Sequence, residues 1–489
     1  MNRPTVRCQP SGTSKQKGAT AIMKQLVLLA LLLPVALPGR AQPDQEIFAR
    51  RRAAVMETLR PGSIAVFPGA PQLMRNLDVE HDYRQESNFY YLTGFQEPEA
   101  VALLDPSSPR TKYTLFVRPR DHHREAWEGG RSGLEGAMKE FRADTALPSG
   151  AFERAIRRSL GKDRTLYYTF GINPEIDAVI RKVAVEGRSS TVTPIVDPSP
   201  IVAELRLIKT GDDFAAGLQR AIEISAEAHA EAIRAVRPGM YEYEVQAVFE
   251  YTYRRSGSPR NGYPCIIGSG PNSCILHYSA NNRLMVGGDV ILMDCGAEYG
   301  YYSADITRTV PVNGRFTREQ RTIYSLVLEA EEAAIAAIRP GARHSDIDSA
   351  VNAVLAKGLT GLGFITSAAD RHMFTLHGYS HWIGLDVHDV GGYVRNDSSI
   401  VLRPGMVMTV EPGVYVRPQI FESMRRAGYS EEEIARRRAL LAPYMHIGVR
   451  IEDDILVTDT GHRNLSASVP RSAEAIEALM KERGLGEQD

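Results

Sequence analysis

VILMDCGAEYGYYSADITRTV, residues 290–310, decides how the rest of this chain is read. The segment before Asp294 is apolar and rich in β-branched residues, and the closing DITRTV reads as a second strand. Between them, Glu298-Tyr299-Gly300-Tyr301 supplies a hairpin turn. A turn centred on Tyr299-Gly300 sets Asp294 and Asp305 opposite each other. Facing side chains have Cβ atoms roughly 4.5–5.5 Å apart, where like charges repel. Two carboxylates held at the end of a buried strand therefore point to a cation between them. The alternatives are a solvated hairpin end, or a turn of another length that separates the pair.

The pattern recurs further on. PGMVMTVEPGVYV places Glu411 at the end of another apolar run, and IGVRIEDDILVTD places Glu452 on the strand that follows. The segments ahead of the two ribbons also match. AIRAVRPGMYEYEVQAVFEY begins at Ala232, and AIAAIRPGARHSDIDSAVNAV begins at Ala334. Each reads as a helix, an Arg-Pro-Gly break and a second helix, with Pro238 and Pro340 ending the first helix and Gly239 and Gly341 permitting the turn. Two similar α/β halves follow from this, each contributing a ribbon with two carboxylates.

Four carboxylates gathered at one point require positive charge. Hard divalent ions suit oxygen ligands, and Mn²⁺ is the expected ion if an imidazole joins them. Candidates for that imidazole are His377, His381 and His388 in LHGYSHWIGLDVHDVGGY, a stretch too rich in glycine for one regular helix. No Glu follows the first His, so this is not the HExxH zinc motif. Arg450 stands two residues before Glu452 and so shares its face of the strand, while Val449 and Ile451 point the other way. A guanidinium there offsets negative charge and fixes the carboxylate. The plainer reading is a same-face ion pair.

HGYSHWIGLDVHDVGG, DCGAEYGYYSADITRT, TVEPGVY and GVRIEDD together resemble the signatures of the metallopeptidase family with the "pita-bread" fold, which includes aminopeptidase P, prolidase and methionine aminopeptidase. The resemblance spans residues 218–480. It implies two metal ions held by Asp294, Asp305, His381, Glu411 and Glu452, with Asp305 and Glu452 bridging them. It implies peptide hydrolysis by a hydroxide bridging the metals. Glu411 would shuttle the proton, His277 and His388 would contact substrate and transition state, and His377 would line the pocket near the prolyl ring. Tyr415 would join Arg450 behind the ligands.

The N-terminal stretches DYRQESNFYYLTGFQEPEAVALL and FVRPRDHHREAWEGGRSG are similar to the non-catalytic domain of aminopeptidase P and prolidase, which methionine aminopeptidases lack. The implied substrates are peptides with proline at position 2, cleaved before the proline. An Xaa-Pro dipeptidase is the alternative, and a non-catalytic protein of the same fold is a third reading that the intact ligand set opposes. Trp127 matches a position that reaches a neighbouring subunit's site in aminopeptidase P oligomers, which implies a homo-oligomer, a dimer or tetramer. Residues 417–446, between Glu411 and Glu452, read as an inserted surface helix.

Composition agrees with a globular enzyme. The chain has 489 residues, 43% hydrophobic and 24% charged, with a net charge of −1. That length exceeds one ordinary core, so two domains are expected. The balanced charge gives no general case for a nucleic-acid partner. LVLLALLLPVAL, after Met23-Lys24, is too short and Pro-interrupted for a stable membrane span. With Gly39 and Ala41 it reads as a secretory signal peptide starting at Met23 and cut after Ala41, which in a bacterium means the periplasm; a cytoplasmic location is the alternative. The expected organisation is a leader through residue 41, an α/β N-terminal domain over 44–197, a Pro-rich linker, a pita-bread catalytic domain over 204–480 and a polar tail over 481–489. Cys8 precedes the cut; Cys265, Cys274 and Cys295 are expected as buried thiols, with a Cys265–Cys274 bridge left open.

Overall fold

A computed structural model of the chain describes residues 44–160, 164–185, 193–482 and 484. The leader, Cys8 and most of the polar tail lie outside these residues. The N-terminal region is built on a six-stranded sheet ordered Thr145–Pro148, Tyr113–Val117, Val101–Leu104, Ile64–Pro68, Leu166–Tyr167 and Ile195–Val196. Its central strands IAVFP, VALL and YTLFV are buried throughout. Continuous apolar runs of this kind suit a sheet covered on both faces. Alternate residues divide between those faces. Ile64, Val66, Val101, Leu103 and Phe116 pack under the helices Phe152–Leu160 and Pro174–Val185. Ala65, Phe67, Ala102, Leu104 and Leu115 join a core shared with Tyr301, Ile383 and Val407 of the C-terminal region. The segment read as a Pro-rich linker carries the sixth strand, Ile195–Val196, before the helix Ser199–Leu207. A two-residue strand between prolines offers too little periodicity to be seen in sequence.

The repeat is present in the C-terminal region. Helices Gln219–Ala235 and Glu242–Arg255 form one pair, and Arg318–Ala337 and His344–Gly361 form the other. Gly239 and Gly341 take φ of 88° and 84° at the two breaks, a conformation glycine adopts at no steric cost. The hydrogen bonds there also correspond. The Gly239 amide donates to Met285 O and that of Gly341 to Leu402 O, both at 2.9 Å. Residues 417–446 form two helices, Ile420–Arg426 and Glu431–Leu441, in place of the single surface helix expected. Ile420, Phe421, Met424, Ile434 and Leu441 are buried in the main core, so the insertion is packed structure.

The register of the first ribbon differs from expectation. Asp294 pairs with Thr307, and Tyr299 pairs with Tyr302. The turn is therefore centred on Gly300-Tyr301, with φ of 57° and 71° at those residues. Positive φ at both central residues marks a type I′ turn, whose twist matches the flanking strands. Asp305 consequently lies diagonal to Asp294 on the same face, two positions from the directly opposed residue. A β-carbon added to Gly300 would meet Ala216 O at 2.2 Å, so the tip is locked against backbone. In the second ribbon Val410 pairs with Asp453 and Gly413 with Arg450, which puts Glu411 opposite Glu452. The ribbons join at a bridge between Thr307 and Glu452. Cys265, Cys274 and Cys295 are free and buried, and no bridge links Cys265 to Cys274. No helix among the described residues is long and apolar enough to cross a membrane.

Candidate metal centre

The junction of the ribbons collects the five predicted ligands. One donor atom each from Asp305, His381 and Glu452 lies within 4.8 Å of the other two. His381 Nε2 is 3.3 Å from Asp305 Oδ2 and 3.4 Å from Glu411 Oε1. Its Nδ1 donates to Trp382 O at 3.1 Å, which fixes the ring and leaves Nε2 free to ligate. Asp294 joins through Tyr263, whose hydroxyl is 2.5 Å from both Asp294 Oδ1 and Asp305 Oδ1. One hydroxyl proton satisfies one of those oxygens and leaves the other contact short of positive charge.

Electrostatics make the same point. Burial lifts Glu411 to about 7, against the pull of His381 and Arg450. Burial also lifts Asp294 to about 6 against Arg450, and with Asp305 as the next cause it pushes Glu452 well above the usual carboxylate range. Asp305 stays low because the His381 hydrogen bond offsets its burial. Burial opposes charge on His381, but the hydrogen bond and field of Asp305 prevail and raise it to about 9. Buried acids that resist ionisation have too few cations near them. Four carboxylates and an imidazole nitrogen that gives up its proton to a metal fit hard divalent cations, and these five residues would hold them.

Arg450 is 4% exposed and sits as its strand position predicted. It donates to Asp294 Oδ2, to Thr307 Oγ1 at 3.1 Å and to Tyr415 OH at 3.0 Å. Thr307 Oγ1 in turn donates to Glu452 Oε2 at 2.6 Å. Tyr415 passes its own proton toward His377 Nε2 at 2.7 Å, while His377 Nδ1 donates to Gly378 O at 2.6 Å. Burial, followed by Arg450, lowers His377 to about 4, so it is neutral.

A cavity of about 280 Å³ opens over Asp294 and Asp305, walled by Tyr263, Pro264, Ile266, His277, Val387 and His388. His277 and His388 both line this cavity, the His388 ring 4.1 Å from that of His381. His377 does not line this cavity; its bonds turn it toward Tyr415 and Glu411. Trp127, on helix His122–Glu128, is 83% exposed and does not line the cavity of its own chain. Sequence reasoning missed Thr307 and Tyr263. The alternation Asp305, Thr307, Thr309 on one strand face was a usable signal for the threonine. The loop NGYPC carried none for the tyrosine.

Comparison with known proteins agrees with this geometry. Residues 216–459 match Metallopeptidase family M24, and residues 48–168 match the N-terminal domain of aminopeptidase P. The chain is 40% identical to the Xaa-Pro aminopeptidase of Escherichia coli over 89% of its own length and 98% of that protein. It is 33% identical to the human Xaa-Pro dipeptidase over 89% of its own length and 93% of that protein. The structure of Pseudomonas aeruginosa aminopeptidase PepP superposes with a TM-score of 0.81 at 39% identity, covering 89% of this chain and 98% of that one.

Proposed function

The chain belongs to metallopeptidase family M24, and on that premise we propose that it is an Xaa-Pro aminopeptidase, a hydrolase that removes the first residue of peptides with proline second. The carrying observation is the convergence of Asp294, Asp305, His381, Glu411 and Glu452 beneath one cavity. The dipeptidase alternative has the weaker support, at 33% identity against 40%.

Two divalent cations, when bound, supply a water of lowered pKa and polarise the scissile carbonyl. We assign the remaining roles to the protein's own groups. Glu411, with Oε1 3.4 Å from His381 Nε2, takes the proton from water and delivers it to the prolyl nitrogen. That nitrogen has no N–H in the substrate, so an enzyme for this bond cannot rely on hydrogen bonding to it. Recognition falls instead to apolar surface, which Pro264, Ile266 and Val387 provide on the cavity wall. His277 and His388, on the same wall, donate N–H to the peptide and to the oxyanion that forms. Arg450 and Tyr415 keep the ligands aligned.

Mn²⁺ is our expectation for the cations. We also propose a dimer or tetramer, supported by the exposed Leu73, Met74, Leu77 and Val79 around one small hairpin and by exposed Trp127. Sedimentation velocity tests the assembly. Export to the periplasm rests on the leader that ends at Ala41, and N-terminal sequencing of the mature protein tests it. For the activity, chelator-treated protein is assayed with and without added Mn²⁺ on Xaa-Pro-Xaa tripeptides and Xaa-Pro dipeptides. Metal-dependent turnover of the tripeptides is expected. Turnover of dipeptides alone establishes the dipeptidase, and turnover of neither removes the peptidase reading.

A further inference from the structure

His388 reaches the cavity from residues 384–389, a stretch without helix or strand. Such a segment holds a catalytic side chain only if other groups fix it. The first ribbon holds only the start of the stretch, through the Ser303 amide on Gly384 O at 2.8 Å, and the side-chain groups that fix it come from outside the ribbons. Asp386 and Asp389 flank Val387-His388 on either side. Arg206, on helix Ser199–Leu207, donates through Nη2 to Asp389 and, at 2.7 Å, to Asp386 Oδ2. Lys209 Nζ donates to Asp389 Oδ2 at 2.7 Å and to Arg206 O at 2.5 Å. The N-terminal region adds Ser87 Oγ, 2.6 Å from Asp386 Oδ1, and Arg84 Nη2, 2.6 Å from Leu385 O.

This cluster is deeply buried: the side chains of Arg206 and Lys209 are 2% exposed and that of Asp389 is 1% exposed. Apolar side chains of similar volume hold such a position about as stably as buried ions do, so stability alone does not account for it. What ions add is fixed direction, through short charge-assisted bonds. Gly384 shows how closely the loop is gripped. A β-carbon there would lie 2.2 Å from Asp389 Oδ2 and 2.7 Å from Lys209 Cε.

We propose that Arg206 and Lys209 are positioning residues that hold His388 at the cavity wall by clamping both aspartates beside it. Through Ser87 and Arg84, the N-terminal region takes part in the reaction without touching substrate. The inference rests on the peptidase reading of the cavity.

The test uses the full-length, metal-loaded enzyme with Arg206→Lys, and with Asp386→Asn as a variant whose side chain is 38% exposed and therefore easier to accommodate. Each substitution is made alone and together with His388→Ala. In the otherwise native protein, Arg206→Lys lowers kcat on an Xaa-Pro-Xaa tripeptide about 10- to 100-fold, with KM and bound metal unchanged. Asp386→Asn acts in the same direction by less. In the His388→Ala background either change costs less than about twofold, because the residue being positioned is already gone. Hydrogen exchange of residues 384–389 rises in both single variants, while exchange across residues 290–299 does not. Losses that multiply in the His388→Ala background, or unchanged exchange in 384–389, overturn the proposal. If the native protein cleaves no Xaa-Pro peptide, the peptidase reading fails and the exchange result alone decides whether the clamp exists.

Discussion

The two ribbons deliver the same charge to the same point by different geometry. In the first, Asp294 and Asp305 are diagonal, and Tyr263 reaches between them with 2.5 Å contacts to each. In the second, Glu411 and Glu452 are directly opposed, Glu411 lying 3.4 Å from His381 and Glu452 accepting from Thr307 at 2.6 Å. Short side chains on a diagonal leave a gap that a phenol bridges. Longer side chains on facing positions leave no such gap, and Glu411 remains among the charges that hold Glu452 above the usual carboxylate range, after burial and Asp305. The tips differ for a related reason: a tight turn at Gly300-Tyr301 closes the first against residue 216, while the second opens into two packed helices. The repeat therefore preserves the placement of carboxylates and leaves register free to vary.

The hardest test of this comparison is removal of one carboxylate from each ribbon. Glu452→Ala deletes a predicted bridging ligand at the ribbon junction, so turnover disappears and both cations are lost. On the proposed assignment, Asp294→Ala removes a ligand of one ion and leaves the other ion bound. Elemental analysis of metal per chain distinguishes the two outcomes, and equal stoichiometry in both variants contradicts the bridging role.

Arg450→Met comes next, because that guanidinium ties Asp294 of the first ribbon to Thr307 and Tyr415. Removing one partner of a buried ion pair costs about 3–5 kcal/mol. Urea denaturation of chelator-treated protein should show a loss of that order, reduced when cations are present to hold Asp294 instead. An identical loss in both states means Arg450 supports packing alone.

Tyr263→Phe probes the first ribbon selectively. It removes the hydroxyl that spans the aspartates and leaves the Glu411–Glu452 side intact. Loss of such an outer contact weakens metal binding about 10- to 100-fold. Titration of chelated protein with Mn²⁺ should show both binding steps weakened, the step that depends on Asp294 more than the other, because Tyr263 contacts Asp294 and Asp305 and the latter is expected to serve both ions.

Much of this arrangement was legible in sequence. The repeat announced itself through two Arg-Pro-Gly breaks, because helix termination is a local event written in local residues. Arg450 was placed by strand alternation alone. The first ribbon's register was not legible: Gly300 fits either central position of a two-residue turn, and the choice falls to a close approach by residue 216, distant in sequence. Tyr263 was invisible for the same reason, since its partners lie 31 and 42 residues away in the chain. The insertion at the tip of the second ribbon looked polar because its helix EEEIARRRALL buries only Ile434, Arg437 and Leu441.

The smallest effect contrasts the groups beneath the ribbons. His229 and Glu331 occupy the same repeat position, three residues before Ala232 and Ala334, and both are fully buried. His229 lies under the first ribbon with Nε2 3.1 Å from Cys295 O, and burial, then Arg308, lowers it to about 3. Glu331 lies near Asp453 of the second ribbon, and burial, then Asp453, raises it well above the carboxylate range despite Arg471 at 3.1 Å. Burial thus favours the neutral form of each, and their linkage to stability has opposite sign. For His229 the unfolded chain binds the proton first, so its stabilisation is complete above about 6.5 and is lost as pH falls toward 3. For Glu331 the folded chain keeps the proton longer, so its stabilisation is complete below about 4.3 and is lost as pH rises through its elevated folded value. Each single-proton linkage is worth up to about 1.4 kcal/mol per pH unit. In urea titrations of stability against pH, His229→Gln should flatten the acid limb and Glu331→Gln the limb above pH 5. Should Glu331→Gln steepen that limb instead, the carboxylate is ionised in the fold and the symmetry of two neutral buried groups breaks down.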